Sequence, residues 1–135
     1  MQSDPVIFLI ADPAADANPR LAEALRRRYQ DGFRVEVAPP EMALASAARV
    51  CQTQAERVAV FVLEWAGDTA LVAALLDSCL VLCQGARGLL LMPAPDDGAA
   101  DILLNPLVHA LEAPWLPAET RLYPLLDELL ADWRS

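Results

Sequence analysis

Lysine is absent from this 135-residue sequence; all ten basic residues are arginine. Chemistry that turns on a lysine ammonium is thereby excluded within the chain, including Schiff-base formation and the lysine of a nucleotide-binding P-loop. Histidine is almost as scarce. His109 stands alone in an apolar stretch, and its placement suggests no Ser-His-Asp or Cys-His set. Only five glycines occur, and none belongs to a GxGxxG fingerprint or another phosphate cradle. The three cysteines are Cys51, Cys79 and Cys83. Cys79 and Cys83 lie one helical turn apart, but no second pair completes a metal site, so free, mostly buried thiols in a reducing compartment are expected.

Long hydrophobic runs are also missing. No stretch reaches the roughly 18–20 apolar residues of a membrane span. The opening Met1-Gln2-Ser3-Asp4-Pro5 lacks the positive charge that starts a secretion signal, so a cytoplasmic protein is expected. Positive charge is in deficit overall, at a net −9, which argues against a nucleic-acid-binding surface. The basic cluster Arg26-Arg27-Arg28 falls late in a predicted helix. There it complements the helix dipole in water, or offers a patch to an acidic partner.

What is present is apolar: 56% of the residues are hydrophobic, enough for one domain over 1–135 to bury a core without staples. Pro5–Ala11, Val58–Leu63 and Gly88–Met92 are almost wholly apolar runs. They read as strands buried on both faces of a parallel sheet. Phe33–Val37 alternates, with Phe33, Val35 and Val37 on one face and Arg34 and Glu36 on the other, the pattern of an edge strand. Leu107–Glu112 is a fifth, weaker strand.

Helices fall between these runs. Asn18-Pro19 opens one that ends near Gln30 at Asp31-Gly32. A second covers Glu41 to about Gln54, a third Thr69 to Gln84 with Gly85 at its end, a short fourth Ala99–Leu104, and a fifth Glu119–Trp133. Repeated β-α units force a parallel sheet with helices on both sides. The predicted fold is a flavodoxin-like doubly wound (βα)5 sandwich with strand order 2-1-3-4-5. The sequence stops just after the last helix, which is compatible with a chain cut from a longer protein.

In such a sheet the functional crevice lies at the carboxyl ends of the strands beside strand 1. Asp12, Glu64, Met92 and Ala113 end or follow strands 1, 3, 4 and 5. With Asp12-Pro13 after the first strand, Val58–Leu63 before Glu64, and Ala113-Pro114-Trp115 after the fifth, the chain resembles the receiver domains of two-component signalling, of the CheY-like type. Residues 25–35, 107–115 and 121–133 are most similar to receiver modules at the head of flavin-dependent, thioredoxin-reductase-like oxidoreductases. The resemblance implies a phospho-acceptor pocket, and here that pocket is degenerate. Asp12 and Asp16 stand for its acidic cluster, Glu64 for the acceptor aspartate, Met92 for the switch hydroxyl and Ala113 for the lysine.

Each departure has a chemical cost. Glu64 carries its carboxylate one methylene, roughly 1.5 Å, too far for in-line displacement. Met92 has no hydrogen to donate. Ala113 carries no charge to neutralise phosphoryl oxygens. Asp12 and Asp16 either hold a hard cation weakly or cap the following loop; no metal and no cofactor is expected. Glu64 either mimics a phosphorylated aspartate or is a solvated carboxylate.

The reading is a non-phosphorylatable pseudo-receiver. It is expected to be no enzyme but a regulatory module that binds a protein partner or a neighbouring domain. In receivers the face built from the fourth strand and helix and the fifth strand and helix is the usual interface. Here that face would use Ile102, Leu103, Leu107, Leu122 and Tyr123, with a homodimer as one outcome. Two alternatives stay open. A small-molecule sensor would use the apolar switch-point pocket around Trp65, Met92 and Ala113. A regulatory head of a flavin oxidoreductase rests on the resemblance alone.

Overall fold

The computed structural model describes residues 5–10, 18–52, 58–64, 69–83, 85–92, 108–112 and 121–134. Strands β1 (Val6–Ile10), β2 (Arg34–Ala38), β3 (Val58–Glu64), β4 (Arg87–Met92) and β5 (Val108–Glu112) form one sheet. Its order is β2-β1-β3-β4-β5, and every neighbouring pair is parallel. This is the order the sequence predicts. Helices α1 (Asn18–Tyr29), α2 (Pro40–Gln52), α3 (Thr69–Leu82) and α4 (Leu122–Arg134) complete the described elements. The short helix predicted over Ala99–Leu104 lies outside the described residues. No described helix is long and apolar enough to cross a membrane.

The central strand explains why both sheet faces are covered. All five residues of β1 are buried. Their pleat sends Val6, Phe8 and Ile10 into one core and Ile7 and Leu9 into another. The first core is closed by Ala43, Ala47 and Val50 of α2 and Leu76, Cys79 and Leu80 of α3. The Phe8 and Phe61 rings meet within it, centroids 5.5 Å apart. The second core is closed by Leu21, Ala22 and Leu25 of α1 and Leu122, Leu126, Leu129 and Leu130 of α4. A sheet apolar on both sides therefore dictates two helical layers. A register shift interrupts the alternation where Val6 pairs Val58 but Ile7 pairs Val60. Ala59 is the extra residue, and Ala59 and Val60 both join the α1/α4 core.

Turns follow the local chemistry. Pro40, with its preset φ, starts α2 one residue before the predicted Glu41. Beyond α3 the chain reverses through Gly85 at φ +91°, a backbone conformation that favours glycine. Ala86 N–H donates to the Cys83 carbonyl across this turn at 3.1 Å.

At β2 the face that carries Phe33, Val35 and Val37 is only partly covered. Val35 is buried in the α1/α4 core but Val37, on the same face, is 41% exposed, while Ala38 on the opposite face is buried in the α2/α3 core. β2 is an edge strand with β1 as its sole neighbour in the sheet, so the outer end of its inner stripe is covered from one side only.

Candidate functional site

The carboxyl edge of the sheet is built by strand register. Glu64 ends β3 opposite Leu91, and Met92 ends β4 opposite Glu112. Ile10 ends β1 opposite Leu63. The backbones of Glu64 and Met92 are thus brought to one edge on adjacent strands, at the switch point where the chain turns from β2 back across β1 to β3. Asp12, Asp16 and Ala113, like Trp65 and Trp115, lie outside the described residues.

Two of the five residues predicted for the interaction face lie among those described. Leu122 is fully buried and Tyr123 is 8% exposed; both belong to the α1/α4 core. They hold this domain together and offer little to a partner. Ile102, Leu103 and Leu107 lie outside the described residues. His109 is half-buried in β5, opposite Leu89.

The same layer contains a polar cluster. The Tyr29 hydroxyl donates to Asp127 Oδ1 at 2.6 Å, and Arg28 Nη2 donates to Asp127 Oδ2 at 2.7 Å. The Arg28 guanidinium lies 4.4 Å from the centroid of the Tyr123 ring. Tyr123 in turn donates its hydroxyl to the Ala24 carbonyl at 3.2 Å. The Tyr29 ring meets Phe33 and Tyr123 edge-on, each with centroids 6.1 Å apart. Burial, then the bond to Asp127, pushes the Tyr29 hydroxyl well above its ordinary pKa. The hydrogen bond to Asp127 raises that of Arg28. One arginine of the predicted basic cluster is therefore a clamp between α1 and α4. Arg27 pairs with Glu23 along the helix at 2.6 Å.

A cleft of about 300 Å³ opens on the other side of the sheet edge. Arg34, Glu36 and Val37 of β2 line it with Ser46, Arg49 and Val50 of α2, over Phe8. Arg34 Nε and Glu36 Oε1 pair across its rim at 3.0 Å. The alternation of β2 put Arg34 and Glu36 on one face, but nothing in the sequence indicated which helix would border them.

The cysteines need a correction. Cys79 is free and buried, and burial pushes its thiol up to about 11. Cys83 is disulfide-bonded, against the expectation of free thiols only. The one-turn spacing of Cys79 and Cys83 gave no hint of this, because the bond is set by tertiary proximity.

No protein-family model and no curated protein matches the sequence. Solved structures do match over nearly the whole chain. A CheY-like response regulator receiver domain protein from Methanospirillum hungatei superposes with a TM-score of 0.68 at 13% identity, covering 97% of this chain and 96% of that one. A response regulator receiver protein from Sinorhizobium medicae gives 0.64 at 17% identity, with 97% and 98% covered. The receiver domain of NtrC4 from Aquifex aeolicus gives 0.60 at 14%, with 98% and 100% covered. Strand order, layering and these superpositions agree that the chain has the fold of response-regulator receiver domains.

Proposed function

We propose that this protein is a pseudo-receiver: a signalling module that regulates by protein–protein contact and does not accept a phosphoryl group. The observation that carries this reading is a charge distribution. The stretches that end or follow β1, β3, β4 and β5 are residues 11–17, 64–68, 93–107 and 112–120. They contain nine carboxylates and no arginine or histidine. In the remainder of the chain acids and arginines balance, so the whole net charge of −9 resides on these stretches. A transferred phosphoryl group adds up to two more negative charges there. Phosphoryl transfer depends on positioning and on neutralising those oxygens, and these stretches supply no cation.

In this reading the domain is no enzyme and acts in the cytoplasm. The Cys83 disulfide sets a condition on that location, since it persists only where its potential lies below the reducing poise. The test is a titration with beryllofluoride and Mg²⁺ followed by backbone amide NMR. The expected result is no saturable shift at Glu64, Leu91 or Met92. Saturable shifts at those amides would overturn the reading.

A further inference from the structure

Among the described residues the large hydrophobics left in water are Val37, Met42, Leu44, Val81 and Leu82. Four of the five belong to α2 and α3, and none belongs to α1 or α4. Among the described side chains of α3 the exposed ones are Ala74, Asp77, Ser78, Val81 and Leu82. They recur at helical spacing, so they form one stripe with Asp77 as its single charge. Val81 is 75% exposed. A helix this apolar on its outer side is normally covered.

We propose that the α2/α3 surface is the contact between two copies of this chain, related by a two-fold axis that sets α2 antiparallel to its copy. The proposal deepens the interaction-module reading and names its partner. Charge argues for a second copy. A partner for this surface must itself be apolar and nearly neutral, and the chain supplies one such surface. Two chains of net charge −9 repel, but that charge falls on the stretches of sequence that leave the carboxyl ends of the strands. An antiparallel axis sends those edges to opposite ends of the dimer.

The exposed residues of α2 suit the same axis. Glu41 and Arg49 are both exposed, on either side of exposed Ala45. A two-fold passing near Ala45 brings Glu41 of each copy to Arg49 of the other, so unlike charges meet twice. The small side chain at the centre lets the helices approach closely. Met42 and Leu44 lie beside it.

Sedimentation velocity on the whole chain over a concentration series tests this. The wild type is expected to sediment as a dimer at high concentration. Val81→Glu combined with Met42→Glu should raise the dissociation constant by about tenfold or more. Both side chains are exposed, so an unchanged urea transition at concentrations where both proteins are monomeric should certify the fold. Glu41→Arg should also weaken the dimer, and Glu41→Arg with Arg49→Glu should restore it. Arg26→Glu, on exposed α1, should change nothing. A monomer at every concentration, with and without beryllofluoride and Mg²⁺, overturns the proposal, as does a dimer indifferent to the Val81 and Met42 changes. Repeating the series with beryllofluoride and Mg²⁺ separates the two conclusions. A dimer that forms only with the phosphoryl mimic, and is lost with Val81→Glu, keeps the surface and overturns the pseudo-receiver reading. A monomer in both conditions overturns the surface alone.

Discussion

Leu21 of α1 and Leu76 of α3 are both fully buried, on opposite faces of one sheet. Outside, their helices have little in common. α1 shows water Glu23, Arg26, Arg27 and Arg28, and Arg28 is clamped to Asp127 of α4. α3 shows water one carboxylate, a serine and apolar groups. The difference separates two requirements that a single helix has to meet. The inner stripe is dictated by the sheet, which is apolar on both faces and must be covered twice. The outer side is free of that demand, so it reports on what else the helix meets. On α1 and α4 it meets water and the neighbouring helix. On α2 and α3 its composition asks for a further partner.

If the inner faces are equivalent, equal truncations should cost the same. Leu21→Ala and Leu76→Ala are each expected to lose about 2–5 kcal/mol in urea unfolding, through lost transfer energy and a cavity. A cost below about 1 kcal/mol at either site would break the comparison, because it would show one layer able to collapse around the void. Gly88 sharpens the test on the α3 side. A Cβ there would stand 3.3 Å from Leu76 Cδ1 and 3.3 Å from Val108 Cγ2. Gly88→Ala should therefore cost about 1–3 kcal/mol by overpacking. In the double variant with Leu76→Ala the two losses should not add, since the new methyl enters the space the leucine leaves.

The α1/α4 clamp has no counterpart in the other layer, so its removal should be felt on one side only. Tyr29→Phe deletes the hydroxyl that bonds Asp127 and is expected to cost about 1–2 kcal/mol. It should also change the alkaline limb of the stability profile. The folded chain holds the Tyr29 proton above its ordinary value near 10, whereas the unfolded chain releases it there. The residue's contribution is thus complete below that value and is lost progressively as the pH rises beyond it. Urea midpoints measured across that range should fall less steeply in Tyr29→Phe than in the wild type. Parallel profiles would remove Tyr29 from the clamp.

Sequence and structure agree where the signal is local and diverge where it is not. The apolar runs at 6–10, 58–63 and 88–92 announced buried parallel strands, since few other arrangements cover such segments on both sides. The alternation at 33–37 announced an edge strand, and β2 is one. Helix ends were legible at Asp31-Gly32, just after α1, and at Gly85, whose positive φ restricts the choice of residue. The clamp was not legible, because Arg28 and Asp127 are 99 residues apart, and a run of three arginines looks the same solvated or paired. Tyr123 reads as a candidate for the interaction face for a similar reason: one side of α4 alone does not reveal that α1 lies against it. Of the candidate pocket, the positions of Glu64 and Met92 followed from counting to strand ends. The charge distribution around them needed the topology first, because only parallel strands gather four separate acidic stretches after one kind of strand end.

The smallest effect is expected on the outer side of α1, and it tests whether outward charge is structural at all. Glu23 and Arg27 pair at 2.6 Å with side chains 65% and 79% exposed. In water their attraction is screened, and fixing two long side chains costs entropy. Glu23→Ala and Arg27→Ala should each change stability by less than about 0.5 kcal/mol, and the double-mutant coupling should vanish in about 1 M salt. Val81→Glu, which adds a charge to the outer side of α3, should be equally small for the folding of one chain. If thermal melts bear out both, the outer sides of the two layers contribute almost nothing to the fold of a single copy. The largely apolar outer side of α3, where Asp77 is the one charge among the described side chains, is then not explained by folding, and its selection has to be sought in what that surface binds.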